Sequence, residues 1–225
     1  VLQNRFRPAS LRLAELIASR ELGRIVGCST VIRLWRPQAY YDEPGRGSFA
    51  RDGGGVLLSQ GIHALDLMLS IAGPIVEVTG FSTTTSLHRM ETEDMVVAAV
   101  RYANGAFGTI DATTAAYPGF PERIEIIAEK GTANLAGTQL LVQLHDGRKI
   151  EIAPDRSAGG TGADPMAFPH DYHRAVIADF VDAIRTGREP KVTGEEALKV
   201  HRLIDALIQT GKSGRSAQVE GVTSP

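Results

Sequence analysis

Cysteine is nearly missing from this 225-residue chain: Cys28 stands alone. No internal disulfide can form and no cysteine zinc cluster exists, so a reducing, cytoplasmic home is the simplest expectation. Lysine and arginine are not clustered, and the formal net charge is only −2. Without a basic stripe, nucleic acid is not expected as a partner. No uninterrupted apolar run is long enough to suggest a membrane span. No charged-then-apolar leader is visible, and the first residue is Val1, so we read the chain as a piece of a longer product. No Gly-x-Gly-x-x-Gly follows a strand, so no dinucleotide fingerprint is found. Gly159-Gly160-Thr161-Gly162 lacks the helix that should come after it. Gly211-Lys212-Ser213 lacks the first glycine of a phosphate loop, since Ala206 stands there.

What is present is 43% hydrophobic residues with 22% charged ones, enough for one ordinary domain with a substantial core. Val1–Arg5 looks like the end of a strand. Pro8 fits the first turn of a helix carrying Leu11, Leu13, Leu16 and Ile17. Residues 25–35 read as a strand. Strand-like runs recur near 76–85, 94–103, 106–115, 122–129, 132–136, 139–145 and 148–153. Asn104-Gly105, Glu129-Lys130-Gly131 and Asp146-Gly147 sit between them as tight turns. Residues 154–169 read as a long loop. Two helices close the chain. Val176, Ile177, Phe180, Val181 and Ile184 form the stripe of the first. Leu198, Val200, Leu203, Ile204, Leu207 and Ile208 form that of the second, which ends at Gly211. Thr193 with Glu196 fits a capping box. The tail beyond is polar and is expected to fray.

This pattern predicts an α+β domain: an open, mainly antiparallel sheet with helices on one face. Residues 95–100 are apolar on both pleat faces, which predicts a subunit interface across the open side.

Chemistry concentrates in Gly53-Gly54-Gly55 followed by Ser59, His63 and Asp66. His63 and Asp66, three apart on a helix, share a face, and an imidazole can exchange a proton near neutral pH. The plain alternative is a glycine-rich helix start with a buried, satisfied histidine. His170-x-x-His173 is a second histidine cluster. With His63 it forms the basis of a weaker reading, a metal-dependent hydrolase or isomerase. Ser59 lies one turn before His63, but two residues on one helix make a poor nucleophile and oxyanion-hole arrangement. Arg36, Tyr40, Tyr41 and Arg46 form an aromatic and guanidinium loop suited to a sugar or carboxylate, or merely an ordinary surface loop. Tyr117-Pro118-Gly119-Phe120-Pro121 either presents a ring or makes a rigid corner.

In order along the chain, several segments resemble the C-terminal domain of the glucose–fructose oxidoreductase / inositol dehydrogenase / rhizopine catabolism (Gfo/Idh/MocA) family. They are Gln3-Asn4-Arg5-Phe6-Arg7-Pro8, Leu22-Gly23-Arg24-Ile25, Gly53-Gly54-Gly55 through His63 and Asp66, Tyr117-Pro118-Gly119, Gly131-Thr132, Asp179-Phe180, Ala183-Ile184 and Arg188-Glu189-Pro190. The resemblance implies that an N-terminal Rossmann domain, absent from this chain, binds NAD or NADP. It implies hydride transfer between that cofactor and a hydroxyl of a sugar, cyclitol or nucleotide sugar. No cofactor is then expected on this chain, which alone would be inactive. Residues 1–8 would be the junction, 9–212 the substrate-binding and oligomerisation domain, and 213–225 the tail. His63 would be the acid/base; Gly54, Gly55 and Asp66 would support its helix; Arg5, Arg36, Tyr40, Ser59, Tyr117 and His173 would line the sugar pocket. The partners implied are a sugar-like substrate, the Rossmann domain and a second copy of the chain. Two departures stand out. Ser59 replaces an aspartate common in the family, which removes a charge that raises the histidine pKa. The family's Glu-Lys-Pro motif is also missing. Ser59 therefore keeps a second reading open, a non-catalytic sugar-binding or assembly member of the same fold.

Overall fold

The computed structural model describes residues 2–155 and 170–222. The loop expected over 154–169 falls almost wholly outside them. One nine-stranded sheet organises the chain, in the order β8-β7-β6-β5-β1-β4-β3-β2-β9. Its strands are β1 (Ile25–Arg33), β2 (Ile75–Thr83), β3 (Met95–Tyr102), β4 (Phe107–Thr113), β5 (Arg123–Ala128), β6 (Gly131–Ala136), β7 (Gln139–Leu144), β8 (Lys149–Ile152) and β9 (Ala217–Gln218). The turns at Asn104-Gly105, Lys130 and Asp146-Gly147 join antiparallel neighbours, as their residue types predict. β1 lies in the middle, antiparallel to β5 and parallel to β4, with Thr30 opposite Ile110.

Three helices cover one face: α1 (Pro8–Ala18), α4 (Ile62–Ala72) and α6 (Gly194–Ser213). The inward residues of the strands, Cys28 and Ile32 of β1, Val96 and Ala98 of β3 and Ile110 of β4 among them, join Leu13, Leu65, Met68 and Leu203 in a continuous core. The opposite face leaves Phe81, Val97, Phe107 and Ile127 exposed, as expected for an uncovered side. Two short helices, α2 (Gln38–Tyr41) and α3 (Phe49–Asp52), punctuate the loop after β1.

Four expectations need correction. Residues Gln3–Phe6 form a 3₁₀ turn, not a strand end, and Arg5 and Asn4 fix it through side-chain bonds. α6 continues through Gly211 to Ser213, and Gly214, at φ +65°, is the residue that ends it. The described part of the tail, through Val222, is docked instead of frayed: Ala217 and Val219 are buried, and β9 pairs with β2. Finally, the helical stretch Phe49–Ala72 is, by length and composition, apolar enough to span a bilayer, although its glycines hide this in the sequence. Most of it is buried within the domain, as a core helix is.

α5 (Asp171–Thr186) differs from the other long helices. Its apolar stripe faces outward, with Ile177, Phe180 and Ile184 exposed and only Ala183 buried. It packs mainly on the Gln3–Phe6 turn.

The three glycines before α4 have separate causes. Gly53 sits at φ +74°, a left-handed position that ends α3. Gly55 needs no unusual dihedral but has no room: a Cβ there would lie 1.8 Å from the Glu93 carbonyl oxygen. Gly55→Ala should therefore cost about 3 kcal/mol, since main chain must give way. At Gly54 the added carbon would meet only Leu58 side-chain atoms at 3.1 Å, so Gly54→Ala should be milder. Urea titration of the two variants checks this; equal loss would refute it.

Candidate active site

His63 is positioned by an irregular helix. Leu57–Gly61 forms one π-helical turn that runs directly into α4. Such a turn adds a residue to the helix and re-aims the side chains beyond it, and is frequent at functional sites. The turn begins against an acid from another element. The buried Glu93 carboxylate accepts the Gly55 N–H at 3.1 Å and the Leu57 N–H at 3.3 Å. Its own carbonyl accepts the Val56 N–H at 2.9 Å. A carboxylate here satisfies orphan N–H groups and meets the positive end of the helix dipole. Burial pushes the Glu93 carboxyl up, and these N–H groups oppose it.

His63 is largely enclosed. Burial first, then neighbouring positive charge that includes Arg7 and His173, pushes its pKa down to about 4. Its Nδ1 is buried with no hydrogen-bond partner among the described residues. Ser59 does not fill that role: its hydroxyl donates to the Gly54 carbonyl at 3.2 Å. A neutral imidazole results at ordinary pH.

Asp66, one turn further along α4, is fully buried. Arg5 donates to it twice, from Nε at 2.8 Å and Nη2 at 2.6 Å. Arg5 also reaches Glu196 of α6 at 3.4 Å. Thr193 caps α6 by accepting the Glu196 N–H at 3.1 Å, as the sequence predicts. Arg5 thus clamps the first turn of the chain to α4 and α6. Its guanidinium is engaged within the protein, whereas the resemblance had it among the pocket-lining residues. Arg7, two residues on, lies 3.6 Å from Glu122 and is one of the positive charges that bear on His63.

A second group gathers at the far end of β1. Tyr40 lies 4.5 Å from the Arg46 guanidinium and 5.4 Å from that of Arg36. Arg46 also donates to the Tyr40 hydroxyl at 2.9 Å. Tyr117 is exposed and meets the Trp35 ring edge-on at 5.6 Å. Cation–π and edge-to-face contacts of this kind hold rings in fixed orientations. Tyr41 is buried beneath, its hydroxyl 2.8 Å from Thr114 Oγ1.

The structure thus brings Arg5, Asp66, His63 and His173 to one region and Arg36, Tyr40 and Tyr117 to another. Among the described residues no three His, Cys, Asp or Glu side chains form a group that could hold a metal. The reading that joined His63, His170 and His173 in a metal site is withdrawn, because these three side chains do not gather into such a group. Glu93, His88, Asp94 and Arg7 carry much of the site's order, yet none stood out in the sequence. Glu93-Asp94 there looks like an ordinary acidic pair between a turn and a strand.

The model of the GFO/IDH/MocA C-terminal domain matches residues 10–134. A D-xylose 1-dehydrogenase (NADP(+)) of Haloferax volcanii is 25% identical over 96% of this chain and 62% of its own length. A D-apiose dehydrogenase of Rhizobium rhizogenes is 23% identical over 71% of this chain and 47% of its own. The chain therefore spans about half to three-fifths of these relatives. Among solved structures, the WlbA dehydrogenase of Bordetella pertussis, in complex with NADH and UDP-GlcNAcA, is 27% identical. It superposes with a TM-score of 0.78 over 97% of this chain and 62% of that one. A levoglucosan dehydrogenase shares the fold at 19% identity and a TM-score of 0.82. The family model covers more than half of the chain and places it in the GFO/IDH/MocA family.

Proposed function

We propose that this chain is the substrate-binding and assembly domain of an NAD(P)-dependent oxidoreductase acting on a hydroxyl of a sugar, cyclitol or nucleotide sugar. One observation carries the reading: His63 is held neutral on a π-distorted helix of a family whose members are sugar dehydrogenases. Among the described residues no strand–glycine turn–helix unit offers a dinucleotide cradle, so the cofactor is assigned to a part of the protein outside them. When bound, the nicotinamide supplies the hydride acceptor. His63 accepts the hydroxyl proton, and Arg7 nearby disfavours its retention on the imidazole. The Arg36–Tyr40–Tyr117 region supplies ring faces and guanidinium groups for the sugar, with Ser59 and His173 flanking His63. Gly54, Gly55 and Asp66 hold the helix. The uncovered sheet face, with Phe81, Val97, Phe107 and Ile127, is assigned to a second copy of the chain. We place the protein in the cytoplasm, where its single thiol stays reduced.

Calorimetric titration of this chain with NADH should show no saturable binding. The same titration on the chain extended by the proposed dinucleotide domain should show it. Saturable binding by the chain alone would overturn this division of labour. Failure of the extended protein to reduce NAD+ or NADP+ with any of a panel of aldoses, cyclitols, uronic acids and nucleotide sugars would favour the non-catalytic sugar-binding reading that Ser59 keeps open.

A further inference from the structure

Two consecutive buried acids at the head of β3 reach in different directions. Glu93 holds the start of the His63 helix through Gly55 and Leu57. Asp94 takes hold of the other region. Its Oδ2 lies 2.6 Å from His88 Nδ1, and both side chains are completely buried. The opposite nitrogen of His88, Nε2, lies 2.8 Å from the Arg36 carbonyl oxygen. A carbonyl only accepts, so Nε2 carries a proton and His88 donates to the main chain of the aromatic loop. The His88 ring also meets Tyr41 at 4.9 Å and Trp35 at 6.2 Å. Thr85 completes the Asp94 carboxylate through its N–H at 2.7 Å and its hydroxyl at 2.6 Å. The same connector grips the loop elsewhere: the Gly47 carbonyl accepts the Glu91 and Thr92 N–H groups, both at 3.0 Å.

We propose that Glu93 and the Asp94–His88 pair are positioning residues, which lock the His63 helix and the Trp35–Arg46 loop in one fixed relation. The proposal rests on the reading that His63 handles the hydroxyl proton and that this loop meets the sugar. One dipeptide sets both halves, because the two carboxylates hang from adjacent residues of the connector that leads into β3. Each half depends on a buried carboxylate whose removal strands N–H groups or an imidazole.

The test uses the extended enzyme with whichever sugar of the panel it oxidises. Glu93→Ala should lower kcat tenfold or more with little change in KM, since misplacement of about 1 Å costs up to about 100-fold. Asp94→Ala should instead raise KM about tenfold with little change in kcat. Glu93→Gln and Asp94→Asn should recover most of each loss, because Gln still accepts one N–H and Asn can donate to His88 Nδ1. Equal kcat and KM in all four variants, with only melting temperatures lowered, would reduce these residues to structural ones. Nuclear magnetic resonance on the 225-residue chain supplies an arm independent of activity. Asp94→Ala should shift the Trp35 indole and Tyr41 signals more than the His63 ring signals; Glu93→Ala should do the reverse, and Asp94→Asn and Glu93→Gln should move each set less. Movement of neither set overturns the proposal even if the enzyme is active. Absence of turnover in the unmodified enzyme refutes the oxidoreductase reading alone.

Discussion

Replacing Arg5 with methionine should remove about 3–5 kcal/mol of folding stability, because it leaves the buried Asp66 carboxylate with no cation. For a domain of this size that is a fall in melting temperature of about 10 °C. The sign of its pH dependence separates this cause from lost packing. Burial pushes the Asp66 carboxyl up, and Arg5 pulls against it. Burial already holds the folded-state pKa above the unfolded one, and loss of Arg5 raises it further. The penalty is then largest above the folded pKa and shrinks as pH falls through it, because the folded protein takes up the proton more readily. Asp66→Asn added to Arg5→Met should restore a large part of the loss at neutral pH. Melting curves at pH 7 and pH 4 decide it: a penalty of the same size at both values would point to packing instead of charge.

The second large effect is on turnover. His63→Ala in the extended enzyme should lower kcat/KM by about 10²–10⁴, the usual contribution of a positioned acid or base. Undiminished turnover would remove His63 from the chemistry. With burial holding the imidazole below the ordinary histidine range, sugar oxidation should keep its rate to a lower pH than an ordinary histidine allows and fall as His63 protonates. Ser59→Asp places a carboxylate one turn before His63, which favours the imidazolium. The acid limb should then move upward toward the ordinary histidine range. Stability obeys the same linkage. The folded value lies below the unfolded 6.5, so His63 costs stability progressively as pH falls from about 6.5 to about 4. That part of the acid slope should vanish in His63→Ala.

Local pattern was legible where local chemistry decides. The β-turn pairs, the Thr193 cap and the strand runs all derive from residue type and period, and they lie where the sequence predicts them. The features that were not legible depend on partners far along the chain. Nothing near Gly55 reveals that the Glu93 main chain presses on it, and nothing near Arg5 reveals Asp66. Arg5 and Arg7 read alike in sequence, yet one closes a clamp and the other bears on His63. The tail was judged by polarity, although two alternate apolar residues, Ala217 and Val219, suffice to dock it. The outward stripe of α5 was legible as amphipathic but not as uncovered.

The central place of β1 also constrains how the chain can fold. Strands β2–β4 and β5–β8 are each built from neighbours in sequence and can zip locally as they are made. β1 is synthesised before either group, yet it must pair with β4 on one side and β5 on the other. It therefore waits, unpaired, until most of the sheet exists, and only its capture joins two local meanders into one body. Loop closure over that distance precedes any reward from the pairing, which is the condition for slow folding. Until that moment a Val- and Ile-containing strand lies open on both edges, so the nascent chain is most vulnerable to aggregation during the interval between making β1 and making β5.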